Sequence, residues 1–169
     1  MIIIGYQGIG KSTLTKNSNG YIDLEGGNFW WNGQRPHDWY VYYCQIAEDL
    51  SRQGYIVFVS SHKEVRKFLE KSEEKVIVIF PSILIRDEWV KKLKDRYEES
   101  GKEKDFKAWK NAEDRYKENI NELMRSGFYF IEIDSLDYDL KKMIEGGVIR
   151  LMVIGYSKEE LHVDQSFDF

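Results

Sequence analysis

One cysteine, two prolines and no long apolar run are what this chain has little of, and each shortage narrows what it can be. A lone cysteine, Cys44, allows no intramolecular disulfide, so stability must come from packing, as expected for a reducing compartment. No apolar stretch approaches the ~20 residues that cross a bilayer, and no charged-then-apolar leader precedes the first apolar residues. A cytoplasmic location and no membrane partner are therefore expected. Positive charge is not in excess either. With 25 Lys and Arg against 29 Asp and Glu, the net charge is -4, so nucleic acid is not an expected partner. Oligomeric state is left open.

What is present suits one folded domain over 1–169, because hydrophobic residues are 42% and charged residues 32% of the sequence. Aromatics are abundant at 15%, including five Trp and eleven Tyr, with many between Tyr21 and Tyr55 or between Trp89 and Tyr116. Such side chains fill a core or offer faces on which a base can stack.

The strongest local signal is Gly5-Tyr6-Gln7-Gly8-Ile9-Gly10-Lys11-Ser12, which reads G-x-x-x-x-G-K-S. Ile2-Ile3-Ile4 precedes it as a short apolar strand, and a helix-compatible run follows from Ser12. A strand feeding a glycine-rich turn into a helix start aims backbone N–H groups at one point, where the helix dipole favours an anion. Gly5, Gln7, Gly8, Ile9, Gly10, Lys11, Ser12 and Thr13 are thus expected to cradle the phosphates of ATP. Lys11 reaches the outer phosphates, and Ser12 offers its hydroxyl to Mg²⁺.

Elsewhere apolar runs alternate with helical spacings. Strands are expected at Ile2–Gly5, Tyr21–Leu24, Tyr55–Val59, Val76–Phe80 and Phe128–Ile133. Helical stripes fall at Trp39, Tyr43, Ile46 and Leu50; at Val65 and Leu69; at Trp89, Leu93 and Tyr97; and at Phe106, Trp109, Tyr116, Ile120 and Leu123. Strands alternating with helices predict an α/β fold, a five-stranded parallel sheet with helices on both faces. Pro36 is placed to open the helix leading to Leu50, and Pro81 to close the fourth strand. From Arg86 to Glu122, eleven basic and eleven acidic residues surround a break at Ser100-Gly101-Lys102. This reads as two helices about a polar hinge, either a solvated face or a mobile lid over the phosphates. Gly146-Gly147 predicts a break, with Val148–Ile154 as a sixth strand and 156–169 as a polar tail.

Several P-loop classes are excluded. Asp23-Leu24-Glu25-Gly26 matches D-x-x-G but follows the P-loop too closely for a GTPase switch, and no N/T-K-x-D occurs. Helicases and AAA machines need an apolar strand ending in Asp-Glu, whereas here the third strand runs Val59-Ser60-Ser61-His62 and the fourth Phe80-Pro81-Ser82. The remaining plan is that of the small kinases. From the P-loop and the order of elements over about residues 1–145, the chain resembles the P-loop nucleoside and deoxynucleoside monophosphate kinases, especially the short phage and Gram-positive type.

That resemblance implies a three-layer P-loop kinase fold, ATP and Mg²⁺ as cofactors, a nucleotide acceptor bound in about 26–54, and a lid over about 86–122. It implies that Lys11 acts on the phosphates and that Asp23, with Ser12, serves the metal or the acceptor. It implies further that Glu25 lies beside them, that Arg66 meets the acceptor phosphate, and that Arg86 and Arg96 clamp the transferring group. The residues themselves leave Asp23 open between proton acceptor, acceptor anchor, indirect metal ligand and simple cap, and leave Arg66 and Arg86 open between substrate contact and ion pair. Phe29, Trp30 and Arg35 offer aromatic faces beside a cation for the acceptor, and His62 is a candidate hydrogen-bonder. Two alternatives stand. One is a different acceptor, such as a nucleoside, another metabolite, or a modified base or 5′-end in DNA. The other is a P-loop switch that binds ATP without turnover.

Overall fold

The computed structural model describes residues 1–26 and 35–153, with side chains through 147. Its centre is β1 (Ile2–Gly5), whose side chains are fully buried. β1 pairs in parallel with β3 (Ile56–Val59) on one side and β4 (Val76–Pro81) on the other. β2 (Tyr21–Asp23) and β5 (Tyr129–Ile133) complete the sheet in the order β2-β3-β1-β4-β5, all parallel. The β-branched runs Ile2-Ile3-Ile4, Val57-Phe58-Val59 and Val76–Phe80 are at 0% exposure, which requires cover on both faces. Burying each such side chain contributes about 1.5–3 kcal/mol, making this strip the main source of stability.

The helices are α1 (Lys11–Asn17), α2 (Trp39–Arg52), α3 (Lys63–Leu69), α4 (Arg86–Ser100), α5 (Glu103–Met124) and α6 (Leu140–Val153). After β1 the chain runs outward to β2 and back to β3, then crosses to β4, so the order reverses around β1. The carboxyl ends of β1, β2 and β3 therefore open at a switch point, where ligands of open α/β sheets bind. Gly5, Asp23 and Ser60 all stand at that edge.

The five strands expected for the parallel sheet are all present, and the predicted hinge is real: α4 ends at Gly101, whose φ of 62° makes it a left-handed cap, and α5 follows. Pro81 is the last residue of β4, and the Pro36 carbonyl receives the N–H of Trp39 where α2 begins. Three expectations need correction. The buried face of α2 is Trp39, Tyr43, Cys44, Ala47 and Ser51, whereas Ile46 is 41% exposed and Leu50 only partly covered. The small Cys44 and Ala47 turn toward the core and rotate the stripe away from Ile46. Phe106 is likewise exposed, and α5 carries a non-helical residue at Arg115 (φ -132°). Finally, the sixth strand expected at 148–154 is helix as far as Val153, because α6 runs through Gly146 and Gly147. Ile131 lies so close that a Cβ on Gly147 would stand 2.6 Å from its Cδ1, so that glycine serves close packing and not a break. Residue 154 and the predicted tail lie outside the described residues. Among the described residues no helix is long and apolar enough to cross a membrane.

Candidate phosphate-binding cleft

The loop between β1 and α1 is shaped by its glycines. A Cβ on Gly5 would lie 2.7 Å from Ile9 Cδ1 and 2.9 Å from Lys11 Cδ, so only glycine lets the lysine stem fold across it. Gly8 has φ +86°, and a Cβ there would meet Leu93 Cδ2 at 2.8 Å. Gly10, at φ +91°, starts α1 and accepts the N–H groups of Thr13 and Leu14 at 3.1 and 3.0 Å. Ile9 anchors the loop by burying its side chain in the core. The Lys11 ammonium donates to the Gly5 carbonyl at 3.0 Å and reaches the Tyr6 carbonyl at 3.5 Å. Burial lowers its pKa, opposed by Asp23 and reinforced by Arg96, so a bound anion would be a welcome partner.

Beside the loop, Ser12 Oγ donates to Asp23 Oδ2 at 2.8 Å. Both belong to a cleft of about 1080 Å³ that also takes in Gln7, Lys11, Thr13, Glu25, Ser60, Lys92, Arg96, Lys104 and Tyr138. That is a volume suited to nucleotide-sized ligands. The loop is docked onto the helical hairpin at two points. Trp89 Nε1 of α4 donates to the Gln7 carbonyl at 3.1 Å, and Gln7 Nε2 donates to the Ala108 carbonyl of α5 at 2.7 Å. Arg96 reaches in from α4 and pairs with Asp105 of α5 at 3.0 Å, while Ser100 Oγ holds the other carboxylate oxygen at 2.6 Å. Lys104 spans from α5 to Glu25 at 3.3 Å, tying the hairpin to the segment after β2.

Of the residues expected from sequence, the cleft gathers Gln7, Gly8, Ile9, Gly10, Lys11, Ser12, Thr13, Asp23, Glu25 and Arg96. Arg66 is not among them. It is buried between α3 and α5, with Nη2 2.5 Å from Glu122, in a separate hollow that includes Lys63, Arg125 and Ser126. The periodicity of α3 turns it toward α5 and away from the P-loop. Arg86 is also elsewhere: it heads α4, where it meets Asp87 at 2.6 Å and donates to the Glu113 carbonyl at 3.0 Å. Arg35 donates to the Gly26 carbonyl at 2.8 Å and lies 3.8 Å over the Trp39 ring, which fastens the start of the acceptor region. His62 bonds Ser60 Oγ through Nδ1 at 2.9 Å and meets the Trp39 ring edge-on. Phe29 and Trp30 lie outside the described residues. Trp39 and Tyr43 are core, and the Tyr43 hydroxyl joins the ends of β2 and β3 by donating to the Leu24 carbonyl and accepting from Ser60 N–H.

Sequence reading missed Lys92, Tyr138 and Ser60. Lys92 precedes Arg96 by four residues and so shares its helical face, a signal that was available. Ser60 follows β3 at the ligand-bearing edge. Tyr138 sits in a polar connection to α6 and had no distinguishing pattern.

The donor set suits the cofactors that the motif implies. Mg²⁺ takes hard oxygen donors, keeps several waters and relies on substrate phosphates, so one hydroxyl and one carboxylate suffice. Ser12 and Asp23 would supply them, and no larger cluster of three His, Cys, Asp or Glu ligands occurs among the described residues.

No family model matches the chain, and no curated protein does. Among solved structures it is similar to the shikimate kinase from Bacteroides thetaiotaomicron, at 14% identity and a TM-score of 0.47, over 92% of this chain and 97% of that one. It is similar also to the Deinococcus radiodurans tunicamycin resistance protein, at 13% identity and a TM-score of 0.47, over 92% and 96% of the two chains. Likeness at this level carries neither acceptor nor residue roles across. The chain's own strand order and sequence define it as an α/β protein with a five-stranded parallel sheet and a G-x-x-x-x-G-K-S loop between β1 and α1.

Proposed function

We propose that the protein is an ATP- and Mg²⁺-dependent phosphotransferase acting on a small acceptor held between the end of β2 and the start of α2. The observation that carries this reading is the Ser12–Asp23 hydrogen bond at 2.8 Å, inside the cleft that holds Lys11 on one side and Arg96 on another. Mg–ATP, when bound, supplies the transferable phosphoryl group. Loop N–H groups and Lys11 hold its phosphates, and Arg96 offsets charge from the hairpin side. Asp23 orients the acceptor and, where the acceptor is a hydroxyl, receives its proton, while Ser12 steadies the carboxylate. The hairpin beside the loop would shield the transferring group from water, and no residue at the ends of β3 or β4 is suited to activate water for hydrolysis.

The first acceptor class is a nucleoside or deoxynucleoside monophosphate, with Arg35, Phe29, Trp30 and His62 as the residues for its base and phosphate. A second reading is an acceptor without a phosphate, such as a nucleoside or another hydroxyl compound. It is favoured by two carboxylates, Asp23 and Glu25, on the acceptor side and by the absence of Arg66 from the cleft. Incubation with Mg–ATP and each ribo- and deoxynucleoside monophosphate, in parallel with nucleosides and small hydroxylic metabolites, separates the two. ADP formation with monophosphates alone supports the first class, and with unphosphorylated compounds the second. Nucleotide binding with no transfer to any acceptor overturns the phosphotransferase reading. Lys11→Met should lower transfer by about 100-fold or more while the melting temperature holds. Activity within tenfold of wild type would refute its role.

A further inference from the structure

Five cationic side chains line the cleft among the described residues: Lys11, Lys92, Arg96, Lys104 and Lys141. Three already face a carboxylate, since Arg96 meets Asp105 at 3.0 Å, Lys104 meets Glu25 at 3.3 Å and Lys141 meets Glu145 at 4.0 Å. Lys11 is folded onto loop carbonyls. Lys92 is different. Its ammonium stands 4.1 Å over the Trp89 ring and 4.9 Å from the Tyr138 ring, and it donates to the Tyr138 hydroxyl at 3.1 Å. It has no carboxylate within ion-pair distance among the described residues.

Aromatic faces and a hydroxyl orient an ammonium without cancelling its charge. The two rings are themselves stacked, at 6.1 Å and 22°, so the ammonium rests against a rigid wall. One of them also sets its position relative to the P-loop. Trp89 is fully buried, donates to the Gln7 carbonyl, and lies so near Gly8 that a Cβ there would be 3.4 Å from Nε1. The same indole thus fixes the loop and the lysine. Burial, aided by the like charge of Arg96, lowers the pKa of Lys92, so the fold holds a cation in a place that penalises it. An anion in the cleft would relieve that penalty.

We propose that Lys92 is a phosphate-contacting residue of the helical hairpin, held toward the bound polyphosphate by Trp89 and Tyr138 as positioning residues. This rests on the nucleotide reading above and assigns to Lys92 the place in the hairpin that the sequence had suggested for Arg86. The test is calorimetric titration of wild type, Lys92→Met and Lys92→Arg with Mg–ATP and, separately, with magnesium and inorganic tripolyphosphate. Lys92→Met should weaken both ligands about tenfold or more, and Lys92→Arg should regain most of the loss, with little change in melting temperature. Wild-type binding with unchanged affinity in Lys92→Met overturns the assignment and leaves nucleotide binding intact. Equal losses in both variants with lowered melting temperatures mark a packing role and also overturn it. No uptake of either ligand by wild type overturns both readings. Should Lys92→Met fail to fold, amine labelling of the wild-type protein decides: modification of Lys92 should fall several-fold with magnesium and tripolyphosphate but not with adenosine, and equal modification overturns the proposal.

Discussion

Gly8 carries two demands that few other residues could meet together. Its φ of +86° costs a non-glycine residue about 1–2 kcal/mol, and its missing Cβ leaves room for Leu93 and Trp89 of α4. Gly8→Ala should therefore lower stability by at least that amount and weaken Mg–ATP binding more than a surface substitution of similar cost. Thermal scans with and without Mg–ATP check this, and an unchanged melting temperature with full affinity would contradict the steric account. Cys44 makes the opposite kind of prediction. It is fully buried beside α3, and burial pushes its thiol up to about 12, so at pH 8 it remains protonated and unreactive. Iodoacetamide should leave the folded protein unmodified over hours and alkylate it promptly in denaturant. Fast alkylation of the native state would show that α2 does not seal the core as described.

At the scale of elements, the sheet was legible because its strands announce themselves. Ile2-Ile3-Ile4 and Val76–Phe80 are unbroken apolar runs, and only burial on both faces accommodates them. The hinge at Gly101 was legible too, since a glycine between charged helices marks a left-handed cap. The face of α2 was not. Periodicity favoured the large Ile46 and Leu50, whereas close packing against the sheet selects the small Cys44 and Ala47. Gly146-Gly147 misled for a related reason: a glycine pair reads as a break, yet Gly147 here clears space for Ile131 within α6. The hairpin's contact with the P-loop hangs on Trp89, which suggests a direct test. Trp89→Phe keeps most of the apolar contact but leaves the Gln7 carbonyl without its donor, a loss of about 1–3 kcal/mol. A fall of roughly 2–12 °C in melting temperature is expected, together with weaker Mg–ATP binding. Wild-type values for both would mean that the indole hydrogen bond does not couple hairpin to loop.

For the whole molecule, the donor half of the candidate site could be read from sequence and the other half only in part. The phosphate loop is local, eight consecutive residues whose geometry is fixed by glycines and a strand–helix junction, so its pattern survives without tertiary knowledge. Asp23 was also within reach, because strand ends in parallel sheets gather ligands. Residues delivered by the hairpin depend on which helical face turns inward, and that is decided by packing. Hence Arg96 arrives in the cleft, Arg86 does not, and Lys92 enters on the helical face it shares with Arg96. Arg66 shows the same limit, since its spacing after β3 suited an acceptor contact but Glu122 of α5 claims it.

The proposed function depends on the cleft gripping the phosphates of a magnesium-bound nucleotide through the loop between β1 and α1. Calorimetric titration of the wild-type protein and of Lys11→Met with Mg–ATP measures that most directly. One saturable site in the wild type and an affinity about tenfold or more weaker in the variant are predicted. Identical binding curves for the two proteins, or no uptake by either at millimolar nucleotide, would contradict it.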